Sequence, residues 1–169
     1  PNHLGLTDKD VDKSSLLNFR KRMNDAIPNN IYQELNDHDF LLRIGALTED
    51  NGKDVLRNGA VLFFGNISDI LQLCPNYFLD YQENRSNQTR WDKRIASDDY
   101  SFNANLYNFF ERVSTNITLD LPNPFKTDGI KNRNGTDIRR SVIEGIVNAI
   151  TNCDYTSFPG ILIKKSKDN

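Results

Sequence analysis

The amino-acid sequence predicts an α+β fold, in which mixed helices accompany a small sheet. Apolar residues recur every three or four positions in residues 12–26, 103–113 and 137–152, which is typical of amphipathic helices. Residues 77–81 (YFLDY) instead alternate, as expected of a strand with one buried face. Hydrophobic residues make up 37% of the 169 positions, which is enough for a packed core and excludes a disordered chain.

The charge balance limits the classes of partner. The chain carries 21 Lys plus Arg and 23 Asp plus Glu, so no overall positive field attracts it to nucleic acid or anionic lipid. Its longest apolar runs, such as Ala60–Phe64, are much shorter than the roughly 20 residues of a membrane-spanning helix. No basic and then apolar leader opens the sequence. We therefore expect a cytoplasmic location and no membrane partner.

Residues that bind metals or act as nucleophiles are scarce. The chain has two cysteines, Cys74 and Cys153, and two histidines, His3 and His38. A disulfide framework, a thiolate zinc site or a histidine-based triad would need more of these residues at closer spacing. We expect both thiols to be buried structural groups.

The N-terminal half predicts three helices. The first covers residues 12–26, with Ser14-Ser15 as candidate caps. The second is capped by Asn36-Asp37 and continues to the turn at residues 50–52. The dense apolar run at residues 55–64 (VLRNGAVLFF) fits either a helix or a strand, and we favour a helix.

Two other interpretations of this half remain open. Short helices around a tight turn are also typical of a winged-helix DNA-binding module, in which residues 12–65 would contact DNA through Arg20, Lys21 and Arg22. A solvated helix face explains the same basic cluster more simply. In the second interpretation the protein is a scaffold whose apolar helices serve dimerisation.

The C-terminal half predicts shorter elements and a boundary. Residues 83–89 are expected to form a polar loop, and residues 91–95 to extend a hairpin or a sheet edge. Leu121-Pro122-Asn123-Pro124 cannot continue a helix, so we divide the chain into a connector at 1–121 and a second region at 122–169. Residues 161–164 (ILIK) are expected to form a strand of that second region.

One predicted helix carries residues suited to chemistry. It begins at Thr136-Asp137 and runs to about Thr151, and at roughly 100° per residue it separates into an apolar and a polar face. Glu144 and Asn148 lie one turn apart on the polar face. Such a pair can hold hydrated Mg²⁺ through the amide oxygen while the carboxylate activates a water. A solvated face with an Arg140–Glu144 ion pair is the alternative.

Residues 143–155 (IEGIVNAITNCDY) resemble the "REALVNALIHRDY" signature of RecG-like, Schlafen/Alba-associated transcriptional regulators. Members of this family carry a divergent histidine-kinase-like (GHKL) ATP-binding domain. The similarity extends in order from about residue 39 to residue 155. The other matching segments are 59–65 to the family's "NAGLLLFG", 90–95 to "RW-D-RI", 105–109 to "NLYDF" and 124–125 to "PF".

The resemblance implies a fold and a set of roles. Residues 122–169 would be the first helix and strand of an incomplete GHKL-type α/β sandwich. Glu144 would be the base for the attacking water, and Asn148 would ligate the Mg²⁺ on the nucleotide phosphates. Asn152 and Asp154 would contribute to cofactor binding. The last two signature residues are Asp154 and Tyr155, and we expect the pair to be structural or to line the pocket.

The sequence departs from the signature in two places. Ile143 replaces an arginine, and Asn152-Cys153 replaces a His-Arg pair, so a basic residue near the phosphates is missing. The chain also contains no GxxxxGK[ST] loop that would cradle phosphates in the manner of a helicase.

The resemblance also implies cofactors and partners. ATP and Mg²⁺ would bind a longer parent, because the glycine-rich boxes and the adenine-reading aspartate come later in such domains. Nucleic acid would bind through an upstream domain, and a homodimer is an open alternative. The chain begins at Pro1 without methionine, so we expect it to be part of that longer protein. We expect this part alone to bind no cofactor and to show no ATPase activity.

Overall fold

The fold is α+β, as the sequence predicts. The computed structural model describes residues 4–84, 91–119, 121, 133–157 and 160–166, with side chains in the last helix from residue 137 onward. These residues form a short 3-10 helix, six α-helices and two small sheets. The helices are Asp8–Asp10 (3-10), α1 (Lys13–Ala26), α2 (Asp37–Arg43), α3 (Asn58–Phe64), α4 (Ile67–Leu73), α5 (Leu106–Thr118) and α6 (Arg133–Thr151). The strands are β1 (Leu47–Asp50), β2 (Lys53–Leu56), β3 (Leu79–Asn84), β4 (Lys93–Ala96) and β5 (Ile161–Ser166).

The chain divides into two compact units that differ from a simple cut along the sequence. Unit 1 comprises Pro1–Pro75 and Asn103–Tyr107, and unit 2 comprises Asn76–Phe102 and Asn108–Asn169. The boundary expected after residue 121 adjoins residues 122–132, which lie outside the described residues. That boundary stays a prediction.

The first helix is confirmed, although a different residue caps it. Asp12 lies at the N-cap, where its Oδ1 accepts a hydrogen bond from the main-chain N of Ser14 at 3.3 Å. Ser15 is fully buried and donates its hydroxyl to Asp12 Oδ2 at 2.5 Å. An ionised carboxylate at this position also interacts favourably with the helix dipole, so Asp12 rather than a serine begins α1.

The second helix is shorter than expected. Asn36 caps α2, because its Oδ1 accepts from the main-chain N of Asp39 at 2.9 Å. The helix ends before Gly45, which adopts a left-handed conformation with φ of +74°. The expected continuation to residue 50 is wrong, since Leu47–Asp50 forms β1.

The expected third helix at residues 55–64 is divided between a strand and a helix. Val55 and Leu56 belong to β2, which pairs antiparallel with β1 through a two-residue turn. The turn residues Asn51 and Gly52 both have positive φ, as a tight hairpin requires. Arg57 then occupies the N-cap position of α3. The apolar run fits a helix and a strand equally well by its periodicity. The pairing of β2 with β1 makes Val55 and Leu56 strand residues.

Unit 2 contains a three-stranded sheet in the order β4-β3-β5. The central β3 runs antiparallel to β4 and parallel to β5. The predicted strand at 77–81 is observed two residues later, and its neighbour at 91–95 is observed as Lys93–Ala96. Of the expected polar loop at 83–89, the first two residues belong to β3 and residues 85–90 lie outside the described residues.

The remaining predicted elements are present, and each contains more residues than predicted. The helix expected at 103–113 is α5, which begins at Leu106, and the helix expected from Thr136-Asp137 is α6, which begins at Arg133. The strand expected at 161–164 is β5, and it pairs along its whole length with β3 of the expected connector. In the described ranges, no helix has the length and apolar character needed to cross a bilayer.

Candidate functional site

Helix α6 presents its candidate site residues outward. Ile146 and Ile150 are buried on the inner side of the helix, with 4% and 5% of their surface exposed. Glu144 and Asn148 are exposed on the opposite side, one turn apart. The carboxylate and the amide therefore project side by side from a helix whose other face packs inside unit 2.

The apolar face of α6 is narrower than its sequence suggests. Val142 and Ile143 are half-buried, whereas Ile138, Val147 and Ala149 are exposed. The described residues of unit 2 thus cover a narrow stripe of the helix, and apolar side chains flank the polar residues on both sides.

The acidic group of the pair is not neutralised by the neighbouring arginine. Arg140 and Glu144 are both exposed and form no ion pair with each other within the described part of the chain. The preceding Arg139 instead donates to the main-chain oxygen of Leu121 at 2.9 Å. The Glu144 carboxylate therefore faces solvent.

Asn152 contributes to the end of α6. Its side-chain nitrogen donates to the main-chain oxygen of Asn148 at 2.9 Å, and its main-chain nitrogen donates to the same oxygen at 3.1 Å. These two bonds satisfy a carbonyl at the C-terminal end of the helix. Asn152 therefore has a structural role that the sequence resemblance does not include.

Asp154 organises the turn that follows α6. Its carboxylate accepts hydrogen bonds from the main-chain N and hydroxyl of Thr156 at 2.9 and 2.6 Å, and from the hydroxyl of Ser157 at 2.5 Å. These hydrogen bonds lower the pKa of Asp154 to about 2, and the one from Ser157 has the largest effect. Both carboxylate oxygens are thus used within the turn, which favours a structural role over the nucleotide-binding role implied by resemblance.

Tyr155 fastens the end of α6 to the interior of unit 2. Its buried hydroxyl donates to the main-chain oxygen of Ile150 at 2.6 Å. Its ring packs against Tyr77 with 5.7 Å between centroids, and burial raises the pKa of Tyr155 above its ordinary value. Of the two roles expected for Tyr155, these contacts favour the structural one.

The thiol of Cys153 is only half-buried. Its pKa is raised mainly by burial and to a smaller extent by the charge of Asp154.

The described residues around this helix include no ready-made cluster of metal ligands. Across the described ranges, no group of three or more His, Cys, Asp and Glu side chains is placed to hold a metal ion. Mg²⁺ usually keeps several of its waters. Its other ligands are then one or two protein oxygens and the phosphates of the substrate. The exposed amide of Asn148 carries an oxygen of the kind that Mg²⁺ accepts as a ligand.

One residue of the basic cluster of α1 is engaged in contacts within unit 1. The guanidinium of Arg20 contacts Asp37 and the main-chain oxygen of Leu35, each at 2.5 Å, and lies 4.8 Å from the centroid of the Phe40 ring. Lys21 and Arg22 are exposed. Arg20 therefore joins α1 to the start of α2 and is occupied by those contacts.

Sequence reasoning missed an arginine-aspartate pair on the sheet. Arg94 on β4 forms two hydrogen bonds to the buried Asp80 on β3, at 2.9 and 3.0 Å, and its guanidinium lies 5.0 Å from the centroid of the Trp91 ring. The bond to Asp80 raises the pKa of Arg94. The sequence signal for this pair is Asp80, an acidic residue within an otherwise apolar strand pattern. Because a buried carboxylate needs a partner, such a residue predicts a nearby basic side chain.

Comparisons with known proteins describe the fold and name no activity. A model of a family described as a domain of unknown function, DUF8451, matches residues 3–80, just under half of the chain. The crystal structure of the DIP2311 protein from Corynebacterium diphtheriae is 14% identical with a TM-score of 0.65, and the match covers 99% of this chain and 25% of that one. This chain thus spans about a quarter of the length of DIP2311. No curated protein matches it.

Proposed function

We propose that the outward face of α6 forms one wall of a Mg·ATP site in a longer, RecG-like regulator associated with nucleic acid. The supporting observation is the exposure of Glu144 and Asn148, one turn apart, above the buried Ile146 and Ile150. A helix anchored by its apolar side can hold two polar side chains in a fixed relation while leaving both accessible to a ligand.

The two side chains supply complementary parts of phosphoryl hydrolysis. Glu144 orients and deprotonates the attacking water, and Asn148 offers its amide oxygen to Mg²⁺ carried by the nucleotide phosphates. Gly145 lies between them along the helix, and an added Cβ there would meet no atom within 4 Å. The open space beside Gly145 leaves room for a phosphate or a covering loop.

The other walls of the site would come from outside this chain. Ile138 and Val147 expose 44% and 39% of their surface beside the polar stripe, which leaves apolar area for further protein to cover. Because the missing walls hold most of a nucleotide in such a site, this chain alone is expected to bind ATP weakly or not at all. A micromolar dissociation constant for Mg·ATP, measured on this chain by calorimetry, would contradict that part of the proposal.

The test of the proposal is Glu144→Gln in the longer protein. The substitution keeps the size of the side chain and removes its basicity, so ATP hydrolysis should be lost while Mg·ATP binding is retained. Phosphate release and equilibrium binding are measured on the same preparation. Glu34→Gln, at an exposed glutamate of unit 1, is the matched control and should leave both unchanged. Undiminished turnover in Glu144→Gln would remove Glu144 from the mechanism.

A further inference from the structure

Five residues return to unit 1 from a stretch of chain that otherwise builds unit 2. Asn103–Tyr107 belongs to unit 1, although Asn76–Phe102 and Asn108 onward belong to unit 2. Asn105 is fully buried, and its side-chain nitrogen donates to the hydroxyl of Ser15 at 2.9 Å and to the main-chain oxygen of Gly65 at 3.1 Å. A buried amide with such partners is costly to displace.

Asn103 caps a helix that is distant in sequence. Its side-chain oxygen accepts from the main-chain N of Ile67, the first residue of α4, at 2.8 Å. Asn66 occupies the N-cap position and makes no side-chain cap hydrogen bond. The Asn103 side-chain nitrogen also donates to the main-chain oxygen of Gly65 at 3.1 Å. The start of α4 is therefore satisfied by a residue 36 positions away.

The segment ends in an aromatic cluster. The buried ring of Tyr107 lies 5.6 Å from Phe19, 5.8 Å from Phe63 and 6.4 Å from Phe64, measured between centroids. Leu106 and Tyr107 are also the first two residues of α5, and the rest of that helix belongs to unit 2.

We propose that Asn103–Tyr107 is a strap that completes unit 1 and holds it folded. Withdrawal of the strap removes the cap of α4 and opens the aromatic cluster around Tyr107. It also removes the hydrogen bonds that the Asn103 and Asn105 side chains donate to the main-chain oxygen of Gly65. The region matched by DUF8451, which ends at residue 80, is then an incomplete folding unit. The proposal is independent of the ATP site.

Hydrogen exchange on the whole chain tests whether the strap holds unit 1. Asn105→Ala removes the side-chain hydrogen bonds to Ser15 and Gly65 and leaves a cavity, so amides of α1 and α4 should exchange roughly 30-fold faster. Amides of β3 and β4 should keep their rates. Gln72→Ala, at an exposed position of α4, is the control and should change neither unit. Unchanged exchange in α1 and α4 of Asn105→Ala would overturn the proposal.

A second substitution separates the strap from the rest of α5. Val113 is fully buried on the part of α5 that belongs to unit 2, so Val113→Ala leaves a cavity there and keeps the strap residues. Unchanged exchange in α4 of Val113→Ala supports the proposal, whereas an acceleration in α4 as large as that of Asn105→Ala contradicts it. If Asn105→Ala does not fold, Asn103→Ala replaces it, with about fivefold faster exchange expected at the start of α4.

Discussion

The hydroxyl of Tyr155 donates a hydrogen bond to the main-chain oxygen of Ile150 across a distance of 2.6 Å. This bond ties Tyr155, in the turn that follows α6, back to the buried Ile150 in the last turn of the helix, where Asn148 and Asn152 are exposed. The orientation of the candidate site therefore depends on a tyrosine that the resemblance placed only as structural or pocket-lining.

Tyr155→Phe removes this bond and keeps the ring packed against Tyr77. Because the Ile150 oxygen loses a buried donor, the free energy of unfolding should fall by about 1–2 kcal/mol. Urea denaturation measures the change. The control is Tyr100→Phe, since Tyr100 is 73% exposed and its hydroxyl should contribute little. A loss at Tyr155 no larger than at Tyr100 would show that the bond does not anchor the helix.

The glycine at the end of α3 is required by close packing. A Cβ at Gly65 would lie 2.4 Å from the main-chain oxygen of Val61, so Gly65→Ala must shift the backbone. We expect a loss of roughly 2 kcal/mol or more in the free energy of unfolding, by analogy with other overpacked sites. Gly59→Ala meets no atom within 4 Å and should stabilise α3 by about 0.5–1 kcal/mol. Opposite signs in thermal denaturation support the account, and equal effects contradict it.

Stability should depend on pH through Asp154. Its pKa is lowered to about 2 in the folded chain, against about 3.9 for an unperturbed aspartate. The charged form is favoured by folding, so its contribution is complete above about pH 4 and is lost as the pH falls through about 2. An NMR titration of the carboxyl group measures the folded pKa directly. Thr156→Val combined with Ser157→Ala should return that pKa towards 3.9, and an unchanged low value would exclude the two hydroxyls as its cause.

The position of α6 and of its exposed pair could be predicted because a single physical pattern determines both. A 3.6-residue apolar period places Ile146 and Ile150 inward and consequently places Glu144 and Asn148 outward. The predicted bounds of α6 differ from the observed ones by three residues at its start.

Other features depend on contacts between distant residues, which local patterns do not contain. Leu47 and Val55 fit a helical period equally well, and it is the pairing of β1 with β2 that makes them strand residues. Asn103 and Asn105 look like ordinary polar residues before a helix, and their role emerges only where they meet Gly65. Likewise, Asp154 matches a family motif in sequence while its oxygens are used by its own turn.

The most direct test of the account is the affinity of the longer protein for Mg·ATP when Asn148 is replaced. Asn148→Ala removes the proposed amide ligand from an exposed position, so the fold should be kept and the binding of Mg·ATP should weaken by at least about tenfold. Binding of ATP measured without Mg²⁺ should change little. Equal affinity of Asn148→Ala and the unaltered protein for Mg·ATP would contradict the proposed site.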